Sequence, residues 1–132
     1  MGFDLWLVAD PERAERRPTR ADVELAFDGL VRRHGRDREV RYIEVGKTAT
    51  DNCEIYCSEG DPQVVVTVSR PVPSEWLWER LFNLLWEFDV FAWWGDETAL
   101  VAREDVPTPR DMNLESIRVS DPAALMSAVI GA

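Results

Sequence analysis

The sequence predicts a single α+β domain, residues 1–132, in which helices pack on one face of a mainly antiparallel sheet. Short β-branched segments lie between two amphipathic helical segments, and a further pair of apolar segments follows the second helix. Strands grouped between helices are typical of this class, whereas strict alternation would favour a parallel sheet. We expect two longer helices on one face, a short C-terminal helix, and as leading topology a ferredoxin-like variant enlarged by hairpins.

The first third of the chain predicts a strand, a loop and a long helix. Phe3 to Ala9 is apolar apart from Asp4, and residues 10–18 are charged and bounded by prolines. Thr19 followed by Asp22 matches a capping box, and Gly35 suits a left-handed helix end. We therefore expect a helix from Thr19 to His34. Its predicted inner face comprises Val23, Ala26, Phe27, Leu30 and Val31.

Three strands are predicted next, at Val40–Val45, Cys53–Cys57 and Gln63–Ser69. The last is the richest in β-branched residues and is expected to be central in the sheet. Pro71 and Pro73 then end the strand, because proline lacks the amide that a central strand donates.

The second helix is predicted from Ser74 to Phe88, with the Ser74 hydroxyl accepting from the free amides of the first turn. Placing residues at about 100° intervals puts Leu77, Leu81, Leu84, Leu85 and Phe88 on one apolar arc. Strand alternation and this arc together predict a core that includes Val64, Val66, Leu81, Leu84, Leu85 and Phe88.

The last third predicts a hairpin, a strand and a helix. Val90–Trp94 and Ala99–Arg103 flank the turn Gly95-Asp96-Glu97, and residues 105–113 read as a loop. A short strand is expected at Ser116–Val119. Asp121 and Pro122 predict the start of a final helix that reaches about Ile130.

The charge of the chain favours some partners and disfavours others. The formal net charge is −10, and the whole excess lies in residues 42–132, because residues 1–41 carry equal numbers of arginines and acids. Such a field repels nucleic acid and anionic membranes and attracts a basic partner, although it could equally serve solubility alone. No apolar run approaches the roughly 20 residues of a membrane span. We expect a cytoplasmic protein without nucleic-acid or membrane partners.

The residues that usually carry catalysis have structural explanations. Cys53 and Cys57 share a face of a strand about 13 Å apart, which favours buried free thiols over a disulfide or a zinc site. His34 continues the apolar row of the first predicted helix. Gly46-Lys47-Thr48 resembles the end of a phosphate loop, but Arg41 occupies the leading glycine position. We predict no catalytic residue, metal or cofactor, and therefore no enzyme.

The tryptophans are the strongest indication of a binding surface. Trp76 and Trp86 fall outside the apolar arc of the second helix, so either another segment covers them or they belong to an interface. Trp93 and Trp94 are adjacent on a strand and must point to opposite faces. Aromatic anchors beside acids suit a basic protein partner. The predicted protein-binding residues are Trp76, Trp86, Glu87, Asp89, Trp93, Trp94, Asp96 and Glu97.

One resemblance accompanies this pattern. The chain resembles small acidic immunity proteins of bacterial interbacterial-toxin systems in its size, its acidity and one pattern. That pattern comprises Arg70-Pro71-Val72, Leu77-Trp78, Leu84-Leu85 and the segment from Val90 to Trp93-Trp94-Gly95. The resemblance implies a cytosolic, non-catalytic protein that binds and blocks a cognate toxin domain. It carries over no individual binding residue. Two alternatives stay open: a structural or regulatory domain that self-associates into a homo-oligomer, and an enzyme of unrecognised type.

Overall fold

The computed structural model describes residues 3–131, which form one eight-stranded sheet and three α-helices. The strand order is β2-β3-β4-β5-β1-β6-β7-β8, and every neighbouring pair is antiparallel except β7 and β8. The α+β prediction with a mainly antiparallel sheet is therefore confirmed. The elements in chain order are β1 (Asp4–Val8), α1 (Arg20–Ala26), β2 (Val31–Asp37), β3 (Val40–Gly46), β4 (Asn52–Cys57), β5 (Val65–Ser69), α2 (Glu75–Glu87), β6 (Phe91–Trp93), β7 (Thr98–Val101), a 3₁₀ turn (Arg110–Met112), β8 (Glu115–Arg118) and α3 (Pro122–Ile130).

The main core is formed by side chains of all three helices and of one face of the sheet. Each helix contributes buried side chains to it, including Val23 of α1, Leu81 of α2 and Leu125 of α3. The strands contribute every second residue, such as Leu5 and Leu7 of β1, because successive side chains in a strand point to opposite faces. All of the predicted core residues of α2 and its end are buried, and so is Val66, whereas Val64 precedes the strand and is only half-buried.

A second, smaller core lies on the opposite face of the sheet, which we call the outer face. Its buried members are Val8, Phe91, Ala99, Val101 and Val106. Val106 and the half-buried Leu114 belong to the loop between β7 and β8, so this loop covers the β1, β6 and β7 part of the outer face. Within residues 3–131, the outward side chains of β3, β4 and β5 are half-buried or exposed.

The first helix is much shorter than predicted, and this is the largest error of the sequence analysis. Helix α1 ends at Ala26, Gly29 adopts φ +82°, and the chain then enters β2, which pairs with β3 along the run that was assigned to the helix. His34 consequently lies on a strand opposite Ile43, with a side chain that is 70% exposed. Its predicted place in the last turn of a helix is wrong.

The helix caps show one further correction. Thr19 and Asp22 form the predicted capping box, and Asp121 accepts from the amide of Ala124 at 2.8 Å. Ser74, in contrast, makes no capping bond to α2, because its hydroxyl donates to the carboxylate of Asp51 instead.

Candidate functional site

The two tryptophans outside the arc of α2 have opposite environments. Trp76 is buried, and its indole Nε1 donates to Asp51 Oδ2 at 3.0 Å. The hydrogen bonds from Ser74 and Trp76 lower the pKa of Asp51, so the carboxylate is charged at neutral pH and holds its loop over Trp76. Trp86 is 54% exposed, and Glu87 beside it is exposed as well. A loop therefore covers the first tryptophan, and only the second is available at the surface.

Trp93 and Trp94 point to opposite faces of the sheet, as predicted. Trp94 packs against the main core, whereas Trp93 packs against the second core. The indole Nε1 of Trp93 donates to the carbonyl oxygen of Asp96 at 2.8 Å, and Asp96 Oδ1 accepts from the amide of Thr98 at 2.9 Å. These bonds fix the hairpin turn and leave Asp96 and Glu97 exposed beside Trp93.

Asp89 is engaged inside the protein. Its Oδ2 accepts from the amides of Glu15 and Arg16, at 3.0 and 2.9 Å, and its Oδ1 lies 2.5 Å from Arg103 Nη2. Burial alone would raise the pKa of Asp89, but these hydrogen bonds and the arginine hold it below its usual value. The carboxylate thus ties the loop of residues 10–18 to the segment that follows α2.

The outer face carries a feature that the sequence analysis missed. Across neighbouring strands, Trp93 pairs with Trp6, Trp6 with Thr67, Thr67 with Tyr56 and Tyr56 with Tyr42. Four of these five side chains are aromatic, and we call Trp93, Trp6, Tyr56 and Tyr42 the aromatic row. At the usual spacing between strands the row spans about 19 Å.

The rings of the aromatic row contact one another in two pairs. The centroids of Trp6 and Trp93 are 5.5 Å apart, and those of Tyr42 and Tyr56 are 5.0 Å apart, both pairs tilted. Such distances lie within the range for favourable aromatic pairs. The Tyr42 ring extends over Gly35 of the neighbouring strand, where an added Cβ would lie 2.3 Å from Tyr42 Cζ. All four side chains are partly exposed, so the row is ordered and still presents aromatic surface.

Charged residues border the aromatic row in two different ways. Beside the tyrosines, Glu44 and Glu54 are paired with Arg33, and Glu54 also with Arg70, so charge there is largely balanced. Beside the tryptophans, Asp96 and Glu97 are exposed. The tryptophan end of the row is therefore the acidic end.

Local alternation could have placed these side chains on the outer face, since each aromatic residue lies between two neighbours that point the other way. Their assembly into one row depends on the order and register of five strands, which no local pattern encodes. Tyr42 also follows Arg41 directly, and the Arg33 guanidinium lies 5.6 Å above its ring.

The thiols lie on the opposite side of the sheet and are unsuited to nucleophilic chemistry. Cys53 and Cys57 are buried free thiols, as predicted. Burial raises the pKa of Cys53 to about 12 and that of Cys57 to about 11, so both are protonated at neutral pH. Among residues 3–131, no three His, Cys, Asp or Glu side chains are grouped as a metal site would require.

No protein-family model, curated protein or solved structure matches the chain. Within the part of the chain that the structure describes, none of the helices is long and apolar enough to cross a membrane.

Proposed function

We propose that this protein is a non-catalytic inhibitor that binds a basic protein partner through the aromatic row on the outer face. The observation that carries the proposal is the alignment of Trp93, Trp6, Tyr56 and Tyr42 in one register row, partly exposed, on the face opposite the helices. Aromatic side chains are enriched among the residues that dominate binding energy, because they bury large areas with few rotatable bonds.

The charge distribution supports a basic partner. Asp96 and Glu97 flank the tryptophan end of the row, and the excess of ten negative charges falls after residue 41. A positively charged partner would be attracted over a distance and would approach this end first. Trp76, which is buried, and Asp89, whose carboxylate is bonded inside the protein, are not part of the proposed surface.

The partner that best suits these properties is a toxin domain, and the protein would then be a bacterial, cytoplasmic immunity protein. The sequence resemblance supports this class, and so do small size, strong acidity and thiols held in the protonated state. We also propose a ferredoxin-like arrangement for the centre of the fold, with the helices on one face. The strand order β4-β5-β1-β6, with α1 after β1 and α2 between β5 and β6, supports it.

Neutralisation of a toxin tests the proposal. The protein is co-expressed with the domain that the adjacent reading frame encodes, and growth of the host is measured. We expect growth with the wild-type protein and with Trp86→Ala, because Trp86 belongs to a helix on the other side of the sheet. Trp93→Ala and Tyr56→Ala should each weaken binding by about 2 kcal/mol and reduce protection.

Folding is checked by thermal unfolding, so that a lost fold is not mistaken for a lost contact. Folded Trp93→Ala and Tyr56→Ala variants that protect as well as wild type would contradict the proposed surface. Loss of protection with Trp86→Ala alone would move the surface to α2.

A second candidate function is self-association through α2. Trp86, at 54% exposed, is the largest hydrophobic side chain that is exposed within residues 3–131, and such residues often mark interfaces. Sedimentation of the wild-type protein and of Trp86→Ser decides this candidate: a dimer that dissociates in the variant supports it, and a monomeric wild-type protein excludes it.

A further inference from the structure

A cavity of about 650 Å³ lies against α1, and its lining also includes Tyr42, the end member of the aromatic row. It is bounded by α1 on one side and by β2, β3 and β4 on the other. Its apolar lining includes Val23, Ile43, Ile55 and Cys57. The volume lies within the range of small-molecule sites, and an apolar lining with a few polar groups is typical of them.

The shortness of α1 accounts for the position of the cavity. The helix ends at Ala26 after seven residues, whereas the hairpin of β2 and β3 continues to Asp37 and back. The inward side of this hairpin therefore has helix cover at one end only. Arg36 and Arg41 lie at the uncovered end, directly opposite each other in the register of the two strands.

The rim of the cavity carries an unbalanced positive charge. Three arginines, Arg20, Arg36 and Arg41, line it against two acids. Of these acids, Glu24 has its Oε1 3.4 Å from His34 Nδ1, and Asp61 Oδ1 accepts from the amide of Arg20 at 2.9 Å. The guanidinium groups of Arg36 and Arg41, in contrast, make no hydrogen bond or ion pair with any of residues 3–131. Free positive charge at this rim contrasts with a net charge of −10 for the chain.

One further observation favours an anion at this rim. Like charges directly opposite each other on neighbouring strands repel, and Arg36 and Arg41 occupy such a position. An anion bound between these two arginines would relieve the repulsion.

We propose that this cavity binds a small amphipathic anion, with its carboxylate or phosphate group between Arg36 and Arg41 and its apolar part against Val23, Ile43 and Ile55. The arginines would supply paired donors for the anionic group, since a guanidinium matches both carboxylate and phosphate oxygens. Neither arginine belongs to the aromatic row, and this proposal does not depend on the partner proposed above.

Titration with defined probes tests the site. Octanoate and octyl phosphate are titrated into the ¹⁵N-labelled protein, and chemical shifts are followed. We expect saturable one-to-one binding with the largest shifts in residues 20–24 and 34–43. The stronger of the two probes identifies the anionic group. Octylammonium and 1-octanol, which share the apolar chain, should bind at least about tenfold more weakly because they lack the charge.

Substitution of the arginines provides the second arm. Arg36→Gln/Arg41→Gln should weaken binding of the preferred probe about tenfold or more, whereas Arg36→Lys/Arg41→Lys should retain part of the affinity. Arg110→Gln, at an exposed arginine remote in sequence, is the matched control and should bind as wild type does. Because both rim arginines are exposed, their substitution should leave the fold intact.

Three results would overturn the proposal. The first is that neither octanoate nor octyl phosphate binds the wild-type protein saturably, a result that does not depend on the folding of any variant. The second is equal binding of octanoate and 1-octanol, which would show that charge is irrelevant. The third is undiminished binding to folded Arg36→Gln/Arg41→Gln.

Discussion

Asp89 shows how a single acidic residue joins separate segments of this protein. Its carboxylate receives two backbone amides from the loop of residues 10–18 and contacts Arg103, whose Nη2 also donates to the carbonyl oxygen of Phe88 at 3.2 Å. Charge-assisted hydrogen bonds of this kind are stronger than neutral ones. The sequence could indicate that Asp89 is acidic and follows a helix, but its donors lie 73 and 74 positions away in the chain.

We predict that Asp89→Ala lowers the free energy of unfolding by about 2 kcal/mol at neutral pH, since several hydrogen bonds to one charged group are lost. The native pKa of Asp89 lies below its unfolded value, so its contribution is fully present above the unfolded pKa, about 4, and is lost as pH falls through the native pKa. Urea unfolding of both proteins at pH 7 and near pH 3 measures the difference, which should shrink at the lower pH. The exposed Asp111→Ala serves as control. A difference that is independent of pH would contradict the role of the charge.

At the scale of elements, local signals set the starts of helices well and the end of α1 poorly. The capping box at Thr19 and the cap at Asp121 are both local and both present. The end of α1 cannot be predicted from helical spacing, because Phe27, Leu30 and Val31 also satisfy that spacing. The competing structure is the long pairing of β2 with β3, whose stability depends on residues further along the chain. The Asp28-Gly29 pair was the local sign of a turn.

Substitution of Gly29 distinguishes the observed turn from the long helix that the spacing predicts. Gly29 adopts φ +82°, and an added Cβ would meet no atom within 4 Å. Alanine there should therefore destabilise the fold only through its unfavourable backbone conformation. We predict that Gly29→Ala lowers the free energy of unfolding by about 1 kcal/mol. Within a continuous helix the same change would raise it by a similar amount.

Chemical denaturation of Gly29→Ala and of Gly60→Ala provides the measurement and its control. Gly60 lacks a positive φ and has open space around its Cα, so its substitution should be nearly neutral. Increased stability of Gly29→Ala would contradict the turn and restore the long first helix.

At the scale of the whole molecule, the arrangement of the sheet decides which aromatic residues act together. That Trp93 and Trp94 point to opposite faces follows from their adjacency on a strand. Local sequence does not show that Trp6, Tyr42, Tyr56 and Trp93 form one row, because the row requires β1 to lie between β5 and β6 in the sheet. Such an order depends on contacts between segments that are distant in the chain. The sequence therefore indicated tryptophans as anchors and missed the row to which one of them belongs.

Acidic residues of the proposed surface should affect the association rate constant, whereas its aromatic residues should affect the dissociation rate constant. Asp96→Lys/Glu97→Lys should slow association with a basic partner and reduce its dependence on salt, because long-range attraction acts before contact. Tyr56→Ala should mainly speed dissociation, because its contact forms only in the complex. Binding kinetics at low and high ionic strength measure both effects. Association of the wild-type protein that is indifferent to salt would contradict a basic partner.

The most direct test of the proposed outer-face surface is cross-saturation in the complex with the toxin domain that we propose as the partner. The domain is irradiated, and signal loss is recorded at the tryptophan indole and tyrosine ring protons of this protein. We predict strong loss at Trp6, Trp93, Tyr42 and Tyr56, and little at Trp86, which serves as an internal control on the helix side. Loss concentrated at Trp86, with the aromatic row unaffected, would contradict the proposed surface.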